Sequence, residues 1–213
     1  MLTVRAQYRF LDRMFLHDCI TEYVKCSGLV VDLGAGKNEF YQDLLTGYDR
    51  YLTFDLVKDN APNIAGSIES LPFKENIIDT MLAFNVLEHI YEYKNAVRGM
   101  YHVLKRGGTL YGIVPFMVNI HDDPYDYHRY TPRALSRCLS DEHFKNIEII
   151  ELSGSLLLIA QLLSFYPFLW RFTNPLYRVC NALNNYIMRL GKHNQLARFD
   201  RNVVLSIFFK AQK

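Results

Sequence analysis

Val30-Val31-Asp32-Leu33-Gly34-Ala35-Gly36 runs from apolar residues into a single acid and then through two glycines separated by one alanine. A short apolar run bounded in this way reads as a buried parallel strand that ends in a tight turn, followed by a polar segment that starts a helix. In open α/β sheets such a turn faces the ligand crevice, and glycine lets backbone come close to a ligand where a side chain would hold it off. Twenty-one residues after Gly34, the run Tyr51-Leu52-Thr53-Phe54 ends in Asp55. A carboxylate at that distance suits the two hydroxyls of a ribose, because it accepts from both at once. The two strand ends together point to an adenosine-containing ligand.

What the loop lacks narrows the ligand. A dinucleotide fingerprint places a third glycine where Glu39 stands, and a bulky anion there opposes a pyrophosphate. This counts against a nicotinamide-dependent oxidoreductase, and the chain contains no G-x-x-x-x-G-K-[ST] phosphate loop. S-adenosylmethionine (SAM) has a ribose, no phosphate and a positive centre, and it tolerates the carboxylates of Asp32 and Glu39. A non-catalytic SAM- or nucleotide-binding module with the same loop is the alternative reading.

Three further motifs follow in order. They are Leu71-Pro72-Phe73, then Leu87-Glu88-His89, then Val103-Leu104-Lys105-Arg106-Gly107-Gly108. With the glycine loop they resemble the class I SAM-dependent methyltransferases, in the small-molecule branch, over about Gly28 to Leu110. The resemblance implies an α/β fold, a three-layer Rossmann-like sheet of seven strands with the last one antiparallel. It also implies SAM as cofactor. Gly34, Ala35 and Gly36 would approach its methionine part, with Asp32 beside them. Asp55 would hold the ribose, with Leu56 a further cofactor contact, Ser67 and Ile68 would flank the adenine, and Asn85 would open the active-site side of the fourth strand. Family members often carry Asp where Ser67 stands and Phe where Ile78 stands.

Beyond the fifth strand, His121-x-x-Pro124-x-Asp126-Tyr127-x-Arg129-Tyr130-Thr131 resembles a loop in methyltransferases of bacterial surface-polysaccharide and related glycan pathways. His121 is expected to be a general base or acceptor contact, Asp126 its orienting partner and Arg129 an anion clamp. Asp126 and Arg129 could equally form an ion pair that fixes the loop. Glu88 and His89 read as a cap and a cofactor-side contact. The expected activity is methyl transfer, O-methylation foremost, to a small-molecule or glycan or lipid-linked acceptor.

The remaining features bound this reading. At 213 residues, half of them apolar, one methyltransferase domain over 1–213 is expected, with a helical insertion at 155–201 between strands six and seven. A net charge of +2 argues against a nucleic-acid partner. Cys19, Cys26, Cys138 and Cys180 show no metal-ligand spacing, so free thiols in a reducing cytoplasm, and no metal, are expected. Arg5, Arg9, Asp12 and Arg13 interrupt any signal-peptide pattern.

Strands are expected near 28–32, 51–55, 78–83, 109–114, 146–152 and 203–210, and helices near 5–26, 38–46, 92–104 and 131–141. The nineteen residues Leu152 to Trp170 carry no formal charge, whereas 155–202 carries six Lys or Arg against one acid. Gly154 and Pro167 interrupt the run, so no transmembrane span is expected. Residues 155–190 should instead cover the acceptor pocket, form a homodimer interface, or touch a membrane surface with Tyr166, Trp170 and Arg171 at the headgroups.

Overall fold

In a computed structural model the described residues are 10–37, 41–121, 125–164, 173–189, 195 and 200–213. Seven strands form one sheet: β1 (Leu29–Leu33), β2 (Arg50–Asp55), β3 (Ile64–Ala65), β4 (Ile78–Phe84), β5 (Leu104–Pro115), β6 (Lys145–Ser153) and β7 (Val204–Gln212). Their order is β3-β2-β1-β4-β5-β7-β6, and only β7 runs antiparallel to its neighbours. This is the Rossmann-like sheet of the class I methyltransferase fold. The order reverses between β1 and β4, which opens a crevice at the carboxyl ends of the strands.

Alternation along the strands builds a core on each face. Val31, Leu33, Met81, Ala83, Leu110 and Phe209 face the helices α2 (Tyr93–Val103) and α3 (Pro132–Asp141). Val30, Leu82, Phe84, Ile113 and Phe208 face α1 (Phe10–Tyr23), α4 (Ser155–Ser164) and α5 (Thr173–Arg189). Successive side chains of a strand point to opposite sides, so one apolar run serves two layers. Helix α3 starts as its sequence dictates: the Thr131 hydroxyl accepts from the Ala134 amide at 3.2 Å and Pro132 occupies the first turn.

Several elements differ from the expected ones. Strand β3, two residues long, leaves no sequence periodicity to read. Of the helix expected at 38–46, residues 38–40 lie outside the described residues, and the rest holds one tight turn, Gln42–Leu44. Gly107 and Gly108 do not separate helix from strand. They lie inside β5, where Ile78 pairs with Leu104 but Thr80 pairs with Thr109, so the intervening residues bulge out of the ladder. A side chain at Gly108 would come within 2.9 Å of the Lys105 carbonyl, which explains the glycine.

Between β6 and β7 the described residues include α4 and α5, which pack on each other. Leu157, Ala160, Cys180 and Asn184 are buried, whereas Ile159, Leu162, Val179, Leu183 and Tyr186 are exposed. Among the described residues no helix is long and apolar enough to cross a membrane. Tyr166, Trp170 and Arg171 lie outside the described residues.

Candidate functional site

The glycine turn is stitched to the end of β2. The Phe54 carbonyl accepts from the Gly34 amide at 2.8 Å and the Ala35 amide at 3.3 Å. The Asp55 carboxylate accepts from the Gly36 amide at 2.8 Å through one oxygen and from the Val57 amide at 2.7 Å through the other. Gly34 has φ of 63°, and a Cβ there would lie 2.6 Å from a Val86 methyl. Glycine is therefore required by both conformation and space.

A cleft of about 570 Å³ opens at this turn, large enough for a nucleoside-sized ligand. Gly34, Asp55, Leu56, Ser67, Ile68 and Asn85 line it, six of the nine cofactor positions named from sequence. Asn85 ends β4 at φ of 54°, a left-handed conformation uncommon outside glycine, with its amide donating to the Ile113 carbonyl. The Ser67 hydroxyl accepts from the Glu69 amide at 3.2 Å, so it shapes the turn that walls the cleft.

The other three do not line the cleft. Gly36 and Ala35 are not among its lining residues, although the Gly36 amide positions Asp55. Asp32 is fully buried, and its carboxylate accepts from the Tyr41 hydroxyl at 2.8 Å and the Tyr51 hydroxyl at 2.5 Å. Burial raises its pKa to about 7, against the lowering effect of the two tyrosines. Asp32 thus anchors the base of the loop. Glu39 lies outside the described residues.

The loop after β5 adds Tyr125 and Tyr127 to the lining. The Tyr127 and His128 amides donate to the Glu88 carbonyl, and the Tyr130 hydroxyl donates to the Leu87 carbonyl at 2.9 Å. The loop is thereby fastened to the turn Leu87–His89 that follows β4. His121, Asp126 and Arg129 do come together. Arg129 grips the Asp126 carboxylate through two nitrogens and also donates to the His128 carbonyl at 2.9 Å. The Asp126 carboxylate accepts from the His121 amide at 3.0 Å. The Arg129 guanidinium, more than the His121 amide, holds the Asp126 pKa down at about 2, against the opposing effect of burial. The pair therefore acts on the loop that carries His121, as the ion-pair alternative anticipated.

The sequence reading missed part of the lining. Tyr91, Tyr125 and Tyr127 line the cleft and are exposed, beside His89, which the sequence reads as a cofactor-side contact. The run of tyrosines around Asp126 was the available signal. Glu88, read as a cap, is instead fully buried. His89 and His121 pack edge to face with ring centroids 5.3 Å apart.

Comparison with known proteins agrees with this geometry. Residues 31–112 match the methyltransferase domain family, and that interval holds the glycine turn, Asp55, Ser67, Ile68 and Asn85. Residues 31–112 carry a methyltransferase domain. Over 91 residues it is 35% identical to an uncharacterized protein of Methanocaldococcus jannaschii, a match that spans 40% of this chain and 40% of that relative's own length. A SAM-dependent methyltransferase from Archaeoglobus fulgidus superposes with a TM-score of 0.60 at 17% identity, over 96% of this chain and 94% of the other. The [4+2]-cyclase SpnF superposes with a TM-score of 0.63 at 15% identity, over 93% of this chain and 80% of the other. At those identities the structures share the methyltransferase domain's fold, and chemistry must be argued from the site.

Proposed function

We propose that this protein transfers the methyl group of SAM to a hydroxyl of a small-molecule or glycan acceptor. The carrying observation is one cleft lined by Gly34, Asp55 and His89, with the loop that carries Tyr125 and Tyr127 hydrogen-bonded to the turn that carries His89. Asp55 receives the ribose, Ser67 and Ile68 flank the adenine, and Leu56 covers the base. The sulfonium is itself a strong electrophile, so the protein's work is alignment and exclusion of water. In the transfer the acceptor oxygen bonds to the methyl carbon, the carbon–sulfur bond breaks with its electron pair going to sulfur, and the hydroxyl proton leaves. The Glu88, His89 and His121 group next to the cleft activates that hydroxyl, with Asp126 and Arg129 as positioning residues for His121.

Tyr91, Tyr125 and Tyr127 favour an acceptor with a flat or ring-shaped apolar face, such as the C–H face of a sugar. A tyrosine presents an apolar ring and a polar tip at low entropic cost. A lipid-linked acceptor accords with α4 and α5, where Ile159, Leu162, Val179 and Leu183 are exposed and the second helix also carries Arg178 and Arg189. Apolar side chains beside basic ones suit the surface of an anionic bilayer.

The test is incubation of the purified protein with SAM carrying a labelled methyl group and a panel of sugars, polyprenyl-linked sugars, phenols and amines. Label is expected in a hydroxyl-bearing acceptor together with S-adenosylhomocysteine. SAM binding with label transfer confined to amines would overturn the O-methyl reading.

A further inference from the structure

We propose that Glu88, His89 and His121 form a binding site for one divalent first-row transition ion of the zinc class. The Nε2 atoms of both imidazoles face the same carboxylate oxygen. His89 Nε2 lies 3.7 Å from Glu88 Oε1, and His121 Nε2 lies 4.0 Å from it. The three ligand atoms fall within 4.8 Å of one another. Both distances exceed a hydrogen bond. Two ligands at about 2.1 Å from a tetrahedral ion stand about 3.4 Å apart, so the two histidine–carboxylate distances need to close by about 0.3 and about 0.6 Å, and no pair of ligand atoms by more than about 1.4 Å.

The outer nitrogens supply the second observation. His89 Nδ1 lies 2.5 Å from the Tyr125 carbonyl, and His121 Nδ1 lies 3.0 Å from the Asn119 carbonyl. A carbonyl only accepts, so each Nδ1 carries a proton, and Nε2 is the nitrogen that each ring has left to offer an ion beside Glu88. Imidazoles oriented through their far nitrogen by carbonyl or carboxylate groups are the usual surroundings of metal-bound histidine. Glu88 is fully buried, where a carboxylate is costly and a cation opposite it lowers that cost. Two imidazoles and one carboxylate suit zinc, iron or cobalt better than magnesium or calcium, and three protein ligands leave coordination positions open.

The ligands come from two places in the chain, the turn after β4 and the loop after β5. A bound ion therefore clips the acceptor loop to the cofactor strand. Binding is measured with neither SAM nor acceptor, so its outcome is independent of the methyl-transfer reading.

The experiment uses tag-free full-length protein, stripped with a chelator and titrated with Zn²⁺ by calorimetry and with Co²⁺ by visible absorption. One equivalent should bind, Co²⁺ should give the absorption bands of a four- or five-coordinate site, and Zn²⁺ should raise the Tm. His121→Ala, at the rim of the group, should weaken Zn²⁺ binding by about 100-fold or more while SAM still binds, since loss of even an outer-shell partner costs 10–100-fold. Glu88→Gln should do the same if it folds. His102→Ala and His143→Ala, at exposed positions, should bind as wild type does. The proposal is overturned if wild type takes up less than half an equivalent, or if folded His121→Ala binds Zn²⁺ as tightly as wild type.

Discussion

Replacing Asp55 by Ala tests the cofactor side of the cleft most directly. Its carboxylate already accepts from the Gly36 and Val57 amides, one on each oxygen. Each oxygen has a second lone pair, so two acceptor positions remain for the two ribose hydroxyls. The substitution thus has two separable costs. Loss of the amide contacts, at about 1.5–3 kcal/mol for a hydrogen bond to a charged group, lowers the stability of the ligand-free protein. Loss of the ribose contacts adds a similar amount to the binding free energy, which corresponds to a Kd about 10- to 150-fold weaker. Calorimetric titration with S-adenosylhomocysteine, well below the variant's Tm, reads the second cost. Repeating it with the 2′,3′-dideoxy analogue closes a double-mutant cycle: wild type should discriminate strongly between the two ligands, and Asp55→Ala within about twofold. If the variant still prefers the ribose-bearing ligand as strongly as wild type, Asp55 does not hold the ribose.

Other expectations concern charge and the outer helices. The pKa of Asp32 is raised to about 7 from an unfolded value near 3.8, so its contribution to stability is complete below pH 4 and lost as pH rises through 7. Denaturant titrations should show Asp32→Asn removing a decline of up to about 4 kcal/mol over that window, whereas an unchanged slope would refute the assignment. Asp126 behaves in the opposite sense. Its pKa is lowered to about 2, so its contribution of about 2 kcal/mol is present above pH 4 and lost as pH falls towards 2. Arg129→Ala should remove that acid-sensitive part and raise proteolysis of the acceptor loop, and a variant with the wild-type acid profile would argue against the pair. For the helices between β6 and β7, Leu157→Asp should unfold the protein, because the residue is fully buried. Ile159→Asp with Leu162→Asp should leave Tm and SAM affinity unchanged yet abolish co-sedimentation with anionic liposomes at low salt. If wild type ignores liposomes and the pair instead splits a dimer, the face is a protein interface.

The sequence by itself determined the strand–glycine–strand unit around Gly34 and Asp55, because those demands are local. A turn at positive φ requires glycine, a two-sided strand requires an unbroken apolar run, and an acid at the next strand's end follows from the spacing of one βα unit. Thr131 and Pro132 starting α3 were legible for the same reason. Other features depend on partners distant in the chain, and only the tertiary structure decided them. Asp32 reads as a ligand contact until Tyr41 and Tyr51 are seen to take its carboxylate into the core. Arg129 reads as an anion clamp until Asp126 and the His128 carbonyl occupy its guanidinium. Glu88 and His89 meet His121 only because β4 and β5 lie side by side in the sheet, so that the turn after one and the loop after the other share one end. Leu157 and Ile159 belong to one uncharged run, yet one is buried and the other exposed, since a helix two residues on has turned by more than half a circle.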